Sequence, residues 1–272
     1  MKKILVTRKL LKENNERISK LWKAKLNLND KIYSQNELVE LSRGCDGILS
    51  SIVDKIDENT INKLSDKIKI ISNFAVGFGN IDIKAAKKRN IAVTNTPDVL
   101  TEATAEIAML LILGAARRVT EGIKFARNKN WKWSADFLIG KELSGSRLGI
   151  LGMGRIGRAV AKRAKAFNMK IHYHNRSRLS SDLENGAVYH SNIKSLFSVT
   201  DVLSINCPAT SETEKIVNKK TLEFFPSGAI ITNSARGDII DDDDMIEALN
   251  NRKIYALGLD VYNGEPDINP GY

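Results

Sequence analysis

Hydrophobic and polar residues over the first hundred positions form two alternating kinds of segment. The first kind consists of short β-branched runs, which predict strands at Lys3–Thr7, Asp46–Ser50, Lys69–Asn73 and Asn90–Thr94, with a further short strand at Lys31–Tyr33. The second kind carries apolar residues at helical spacing, which predicts helices at Glu37–Arg43, Glu58–Asp66 and Ile83–Arg89. This alternation is typical of a parallel sheet covered by helices.

The pattern changes after Pro97, which pushes Thr96 away from helical geometry. Residues 99 to about 127 are predicted as one long helical stretch whose small residues indicate close packing against another domain or a second copy of the chain. Beyond Trp131 and Trp133 a second series of strands is predicted at Arg147–Leu151, Met169–His174, Asp201–Ile205, Ala229–Thr232 and Tyr255–Asp260. The sequence therefore predicts an α/β protein with two doubly wound parallel-sheet domains, residues 1–98 and residues 99–272.

Composition narrows the class of protein. Of the 272 residues, 42% are hydrophobic and 27% are charged, as in ordinary globular proteins. Cys45 and Cys207 are far apart and give neither a disulfide framework nor a zinc motif, which favours the cytoplasm. The longest apolar run, Ile107–Ala116, is about half of the ~20 residues that span a bilayer, so no membrane segment is expected.

The net charge of +10 raises the question of a nucleic-acid partner. The basic residues are scattered among acidic ones, with no basic arm and no patch in which aromatic residues are interleaved. We therefore expect no nucleic-acid partner, and only a mild attraction for anionic ligands.

A glycine motif provides the strongest indication of chemistry. The glycines Gly152, Gly154 and Gly157 have the spacing G-x-G-x-x-G. They follow the predicted strand Arg147–Leu151 and precede a predicted helix at Arg158–Phe167. In a dinucleotide-binding loop the first glycine makes the tight turn, the second admits the pyrophosphate and the third lets helix and strand pack closely. We predict that this loop, with Arg155 and Ile156, binds a dinucleotide cofactor.

The end of the second strand distinguishes NAD from NADP. An acidic residue here would hold the ribose hydroxyl of NAD, whereas the sequence reads Asn175, Arg176, Ser177 and Arg178. The two guanidinium groups and the serine hydroxyl suit a 2′-phosphate, and Asn175 removes the carboxylate that would repel it. NADPH is thus the expected cofactor and NADH the alternative.

Two other polar clusters are predicted to be structural. His172, His174 and His190 lie near the adenosine end of the fold, with no metal-ligand spacing and no easy reach to a nicotinamide. The acidic run Asp241–Asp244 precedes a predicted helix at Met245–Asn250 and suits capping of that helix.

Three further segments point to one family. They are Asn233-Ser-Ala-Arg-Gly237, Leu259-Asp-Val-Tyr-Asn-Gly-Glu-Pro266 and Asn73-Phe-Ala-Val-Gly-Phe-Gly-Asn-Ile-Asp82. Together with the glycine loop, they resemble the D-isomer-specific 2-hydroxyacid dehydrogenases, most closely the glyoxylate and hydroxypyruvate reductases. The resemblance extends over nearly the whole chain and implies a flavodoxin-like substrate domain followed by a Rossmann domain.

The resemblance also implies roles for individual residues. Arg236 would bind the carboxylate and 2-oxo group of a small 2-oxo acid, and Glu265 would orient a histidine acid/base. The backbone N–H groups of Val76 and Gly77 would hold the other carboxylate oxygen. Residues expected to border the cofactor are Thr104, Cys207, Pro208, Thr213, Ser234, Ala235 and Asp260. A homodimer formed through the long helix and the Trp131–Trp133 segment is also expected.

One departure from the family concerns the histidine, which sits in a P-H-x-[GA] segment after one more strand. The printed sequence has no such segment, so we expect a chain that is incomplete at its C-terminus and of doubtful activity. Alternatives within the family are a phosphoglycerate or formate dehydrogenase. An alternative of another class is a non-catalytic, nucleotide-sensing dimer similar to the family's corepressor branch.

Overall fold

The computed structural model describes residues 1–128 and 133–272. The chain divides into two compact units, Met1–Leu100 and Thr101–Tyr272. Within the described residues, no helix is both long and apolar enough to cross a membrane.

The first unit contains a five-stranded parallel sheet. Its strands are β1 (Lys3–Val6), β2 (Lys23–Leu26), β3 (Gly47–Ser51), β4 (Ile70–Phe74) and β5 (Ala92–Thr94). Its helices are α1 (Lys12–Leu21), α2 (Gln35–Ser42), α3 (Glu58–Lys63) and α4 (Ile83–Lys88). The strand order β2-β1-β3-β4-β5 is that of flavodoxin-like folds. The core joins strand residues such as Leu5, Ile48 and Ile71 to helix residues such as Leu38 and Ile61.

Sequence reasoning misassigned one strand of this unit. The structure has β2 at Lys23–Leu26 and no strand at Lys31–Tyr33. The Asn27 side chain donates to the Lys31 carbonyl at 2.7 Å and accepts from the Lys31 N–H at 3.3 Å, which closes a turn there. The helix α1 was not predicted because it buries no residue and so gives no clear apolar stripe.

The second unit contains a six-stranded parallel sheet. Its strands are β6 (Arg147–Leu151), β7 (Lys170–His174), β8 (Val188–Tyr189), β9 (Val202–Ile205), β10 (Ala229–Asn233) and β11 (Ile254–Leu259). Its helices are α5 (Thr101–Ala116), α6 (Val119–Arg127), α7 (Arg155–Ala166), α8 (Ser181–Glu184), α9 (Ile193–Phe197), α10 (Lys219–Leu222) and α11 (Asp242–Asn250). The strand order β11-β10-β9-β6-β7-β8 is the Rossmann order. The predicted fold class, two doubly wound parallel sheets, is confirmed.

The long helix predicted over residues 99–127 is two helices. Arg118 adopts a left-handed conformation with φ of +56° between α5 and α6, and its guanidinium pairs with Glu121. On the inner side of α5, Ala105, Ala108 and Ile112 are buried in the core that α7 shares. Trp131, which we assigned to the same surface, lies outside the described residues.

Candidate functional site

The glycine loop follows β6 at the carboxyl edge of the second sheet. Gly152 has φ of +96°, and a Cβ there would lie 2.6 Å from the Cys207 backbone nitrogen. A Cβ on Gly157 would lie 2.4 Å from the Gly152 carbonyl oxygen, whereas a Cβ on Gly154 would meet no atom within 4 Å. The chain is therefore packed tightly at the first and third glycines and open at the second, immediately before α7 begins at Arg155. This cradle fits a pyrophosphate facing the N–H groups of a helix N-terminus.

Asn175 braces this loop from the end of β7. Its Oδ1 accepts a hydrogen bond from the Met153 N–H at 2.7 Å, and its carbonyl accepts one from the Tyr189 hydroxyl at 3.4 Å. The position that an acidic residue occupies in NAD-specific enzymes therefore holds an uncharged side chain already bonded to the glycine loop.

The two arginines after β7 differ in their surroundings. Arg176 is 88% exposed, and its nearest carboxylate is Glu212 at 4.0 Å. Arg178 donates from Nε and Nη2 to the two carboxylate oxygens of Glu184, at 2.8 and 3.1 Å. Arg178 is thus not the free cation that the sequence suggested. Glu184 belongs to a separate short helix, and no sequence motif predicted that it would pair with Arg178.

The loop after β9 carries the next predicted cofactor residues. Cys207 is buried, and burial raises the pKa of its thiol to about 11, so it remains protonated. The Thr213 hydroxyl donates to the Pro208 carbonyl at 2.7 Å and accepts from the Thr210 N–H at 2.8 Å. Thr213 therefore holds the shape of this loop. Sequence reasoning missed Asn206, whose buried Oδ1 has no hydrogen-bond partner within the described part of the chain.

The turn after β10 presents Arg236. Buried Asn233 donates to the Arg236 carbonyl at 2.7 Å and accepts from the Ala235 N–H at 2.9 Å, which fixes the turn around Ser234. The Arg236 side chain is exposed and donates to the Ala235 carbonyl at 2.6 Å. Among residues 1–128 and 133–272 no carboxylate pairs with Arg236, so its remaining donors can bind an anionic ligand.

The turn after β11 brings Glu265 beside the Arg236 turn. The Asp260 N–H donates to the Asn233 carbonyl at 3.0 Å, and the Glu265 carboxylate accepts from the Tyr262 N–H at 2.5 Å. A Cβ on Gly237 would lie 2.0 Å from the Tyr262 carbonyl carbon, so the two turns are in direct contact. The structure therefore joins segments that are far apart in the sequence at the carboxyl ends of β10 and β11.

Thr104 and Asp260 complete the set of predicted cofactor residues. Thr104 lies in the first turn of α5 and is partly buried, and Asp260 is exposed directly after β11. The structure leaves their roles as predictions.

Val76 and Gly77 lie in the first unit, after β4. Their carbonyls accept hydrogen bonds from the side chains of Asn95 and Asn73, at 2.8 and 2.9 Å. Within the described residues, neither of their N–H groups has a hydrogen-bond acceptor. Side chains thus fix this loop through its carbonyl groups, and two N–H donors remain for a ligand such as a carboxylate.

His172 and His174 lie on β7 and His190 follows β8, on the opposite side of the second sheet from β10 and the Arg236 turn. His172 Nδ1 is 2.9 Å from His190 Nε2, and His174 Nδ1 is 2.7 Å from the His190 carbonyl. Burial lowers the pKa values of His172 and His190, and each has a neighbouring histidine that lowers its pKa further. Strands β6 and β9 separate β7 from β10, so these histidines are remote from the Arg236 turn.

In the part of the chain that the structure describes, the acidic run begins α11 instead of preceding it. Asp241 is the N-cap and Asp242–Asp244 form the first turn, so the helix starts before the predicted Met245. Asp241 caps the helix by accepting from the Asp244 N–H at 3.2 Å, and it pairs with Lys215 at 3.1 Å. No group of three or more potential metal ligands is present in that part.

Comparisons with known proteins agree with this architecture. The sequence profile described as "D-isomer specific 2-hydroxyacid dehydrogenase, NAD binding domain" matches residues 109–270. A glycerate dehydrogenase from Hyphomicrobium methylovorum is 40% identical over all of this chain and 85% of that protein. A glyoxylate reductase from Thermococcus litoralis is 38% identical over 98% of this chain and 82% of that protein.

Solved structures give the same result. A D-isomer-specific 2-hydroxyacid dehydrogenase from a Polaromonas species superposes with a TM-score of 0.91 at 39% identity, covering 99% of this chain and 85% of that one. A glyoxylate reductase from a thermophilic Paecilomyces superposes with a TM-score of 0.89 at 33% identity, covering 99% of this chain and 84% of that one.

Proposed function

This chain belongs to the D-isomer-specific 2-hydroxyacid dehydrogenases, oxidoreductases with a nicotinamide dinucleotide cofactor, and we propose that it reduces glyoxylate, hydroxypyruvate or a similarly small 2-oxo acid with NADPH. The product would be the corresponding D-2-hydroxy acid. Relatives of this chain are named glycerate dehydrogenase and glyoxylate reductase, and these names support the proposal.

One observation carries this proposal. The Arg236 turn and the Glu265 turn contact each other at the same sheet edge as the open glycine cradle. In open α/β sheets, ligands bind outside the carboxyl ends of the strands. An arginine without a carboxylate partner at that edge suits an anionic substrate beside a dinucleotide.

The proposed reaction is a hydride transfer to a 2-oxo acid. When bound, the nicotinamide supplies the hydride that reduces C2 of the 2-oxo acid. The Arg236 guanidinium binds the substrate carboxylate with its planar fork and stabilises the negative charge that grows on the 2-oxo oxygen. By its resemblance to the family, the Val76–Gly77 loop of the first unit is expected to bind a carboxylate oxygen through its N–H groups.

Glu265 orients the group that protonates the alkoxide. The resemblance of this chain to the family implies that the proton donor is a histidine in a Pro-His segment. The printed sequence contains no Pro-His segment. A general acid must reach hydrogen-bond distance of the oxygen that it protonates. We therefore do not assign this role to His172, His174 or His190, which lie at the other end of the sheet.

We propose that Arg176 and Ser177 bind the 2′-phosphate of NADPH, with Arg178 as a second and partly neutralised cation. Support comes from the exposure of Arg176 and from Asn175 in place of an acidic residue. Fluorescence titration of the protein with NADPH and NADH tests this assignment. We expect tighter binding of NADPH and loss of the preference in Arg176→Ala, and equal affinities in the unaltered protein would refute it.

A homodimer is the assembly that we propose. The outer sides of α5 and α6 expose Leu110, Val119 and Ile123, and Trp133 is 79% exposed. Exposed apolar side chains on neighbouring helices are typical of an interface. Light scattering on the protein at micromolar concentration should give twice the monomer mass, and a stable monomer would contradict this proposal.

The substrate class is tested by following NADPH absorbance with a panel of 2-oxo acids, in a chain that also carries the family's Pro-His segment. We expect oxidation of NADPH with glyoxylate and hydroxypyruvate, and slower oxidation with 2-oxo acids that carry larger side chains. If NADPH binds but no 2-oxo acid of the panel causes its oxidation, the proposed reductase activity is wrong, and the result favours the non-catalytic nucleotide-sensing alternative.

A further inference from the structure

A nearly buried carboxylate lies beneath the loop that follows β7. Glu184 is 7% exposed and binds Arg178 through two hydrogen bonds, at 2.8 and 3.1 Å. The hydroxyl of fully buried Tyr173 donates to the same carboxylate at 2.5 Å and accepts from the Leu179 N–H at 3.0 Å. The bonds from Arg178 and Tyr173 lower the pKa of Glu184, so its carboxylate is ionised at neutral pH.

The same framework reaches the other end of the loop. The Arg178 guanidinium lies 5.9 Å above the Tyr189 ring, and the Tyr189 hydroxyl donates to the Asn175 carbonyl at 3.4 Å. The rings of Tyr173 and Tyr189 are in contact, with centroids 5.3 Å apart. Both ends of the loop therefore contact one connected set of side chains, in which Tyr173 and Glu184 are buried and Tyr189 is partly buried.

From this geometry we propose that Glu184 is a positioning residue that sets the preference for a 2′-phosphorylated dinucleotide by holding the Arg178 guanidinium ready for the phosphate. The inference rests on the proposed use of NADPH. Arginine has five N–H donors in a rigid plane, and Glu184 uses donors on Nε and Nη2. The remaining donors, one on Nη2 and two on Nη1, lie in the same plane along the edges that Glu184 does not occupy. The Arg178 side chain is 66% exposed, so an incoming anion can reach them.

Two physical effects of Glu184 oppose each other. A guanidinium that is already held loses less conformational freedom when it binds a phosphate, which strengthens binding. The negative charge of Glu184 repels the same phosphate, which weakens binding. The carboxylate is buried behind the guanidinium and the phosphate would bind on the solvent side, where water and salt screen the repulsion. Positioning therefore dominates, and removal of Glu184 should weaken binding of NADPH.

The decisive variant is Glu184→Gln, which keeps the size of the side chain but removes its charge and one acceptor. We expect its affinity for NADPH to fall roughly three- to tenfold, the range for one unfixed long side chain, and its affinity for NADH to stay within about twofold. NADH serves as the internal control because a merely structural role would weaken the binding of both cofactors equally. Glu247→Gln, which removes the exposed partner of Lys219 in α11, is the matched control and should change neither affinity.

A second variant and a double variant test the route through Arg178. Tyr173→Phe removes one bond to Glu184 and should reduce the NADPH preference in the same direction, and it replaces Glu184→Gln if that variant does not fold. The double variant Arg178→Ala/Glu184→Gln should bind NADPH no worse than Arg178→Ala alone, because the effect of Glu184 acts through Arg178.

The possible results separate the two proposals. An unaltered protein with no preference for NADPH overturns both the proposed cofactor and the role of Glu184. If the unaltered protein prefers NADPH and the Glu184→Gln variant keeps or increases that preference, only the role of Glu184 is wrong. Equal losses of affinity for NADPH and NADH also overturn that role.

Discussion

Alanine at either of two glycines of the loop after β6 separates folding from cofactor binding. In Gly152→Ala the new methyl group would lie 2.6 Å from the Cys207 nitrogen and 2.7 Å from its Cα, and the backbone has φ of +96°. Left-handed geometry costs a non-glycine residue roughly 1–2 kcal/mol, and overpacking against backbone costs about 1–3 kcal/mol. We therefore expect Gly152→Ala to lower the free energy of unfolding by about 2–5 kcal/mol.

Gly154→Ala is the matched variant two residues later. Its new methyl group would meet no protein atom within 4 Å, and φ is −77°. Replacing glycine by alanine at a helix N-cap costs less than about 1 kcal/mol, and the loss of chain entropy in the unfolded state offsets this by roughly 0.4–1 kcal/mol. Stability should therefore be nearly unchanged. The methyl group would instead occupy space that the pyrophosphate needs, so NADPH affinity should fall at least about tenfold.

Thermal unfolding by circular dichroism and NADPH fluorescence titration measure the two effects. At about 2–4 °C per kcal/mol, Gly152→Ala should melt roughly 4–20 °C lower, whereas Gly154→Ala should melt like the unaltered protein. Unchanged NADPH affinity in Gly154→Ala would show that the phosphates do not lie over this turn. An unchanged melting temperature in Gly152→Ala would show that the Cys207 backbone moves away freely.

Three further predictions concern other parts of the protein. In a chain that also carries the family's Pro-His segment, Arg236→Lys should lower kcat/KM for glyoxylate by roughly 10²-fold because an ammonium lacks the bidentate fork. Arg252→Lys at the opposite sheet edge should leave kcat/KM unchanged, and equal kinetics of the two variants would make Arg236 structural. The pKa of His172 is lowered in the folded state, so the unfolded state binds more protons as the pH falls below about 6.5. The free energy of unfolding should therefore drop on acidification. Urea titrations at about pH 7.5 and about pH 5.5 should show a smaller drop in His172→Gln than in the unaltered protein. Asp201→Asn removes the charge and one of the two acceptor oxygens of a bidentate pair with Arg147, whose bonds are 2.9 and 2.7 Å long. The free energy of unfolding measured in urea should fall by roughly 1–2 kcal/mol, and an unchanged value would contradict this prediction.

Local sequence patterns were enough for most of the architecture. Alternating strand and helix patterns predicted two parallel sheets, because the spacing of apolar residues that distinguishes a helix from a strand is visible within a few neighbouring residues. The glycine loop could be found for the same reason, since its three glycines act at fixed offsets within one strand-to-helix turn. The resemblance to the family was confirmed by the profile match and the relatives.

Tertiary structure decided what depends on residues from different elements. The segment Lys23–Leu26 forms a strand because it pairs in register with β1. Its own residue pattern is too polar to predict a strand. The pairing of Arg178 with Glu184 depends on how a separate short helix folds back onto β7, which no local spacing encodes. Contact between the Arg236 and Glu265 turns requires β10 and β11 to lie side by side, and Gly237 to leave room for Tyr262. The sequence determined which chemical groups are present, and the packing of distant segments decided which of them stand together and which, like Arg178, already have a partner.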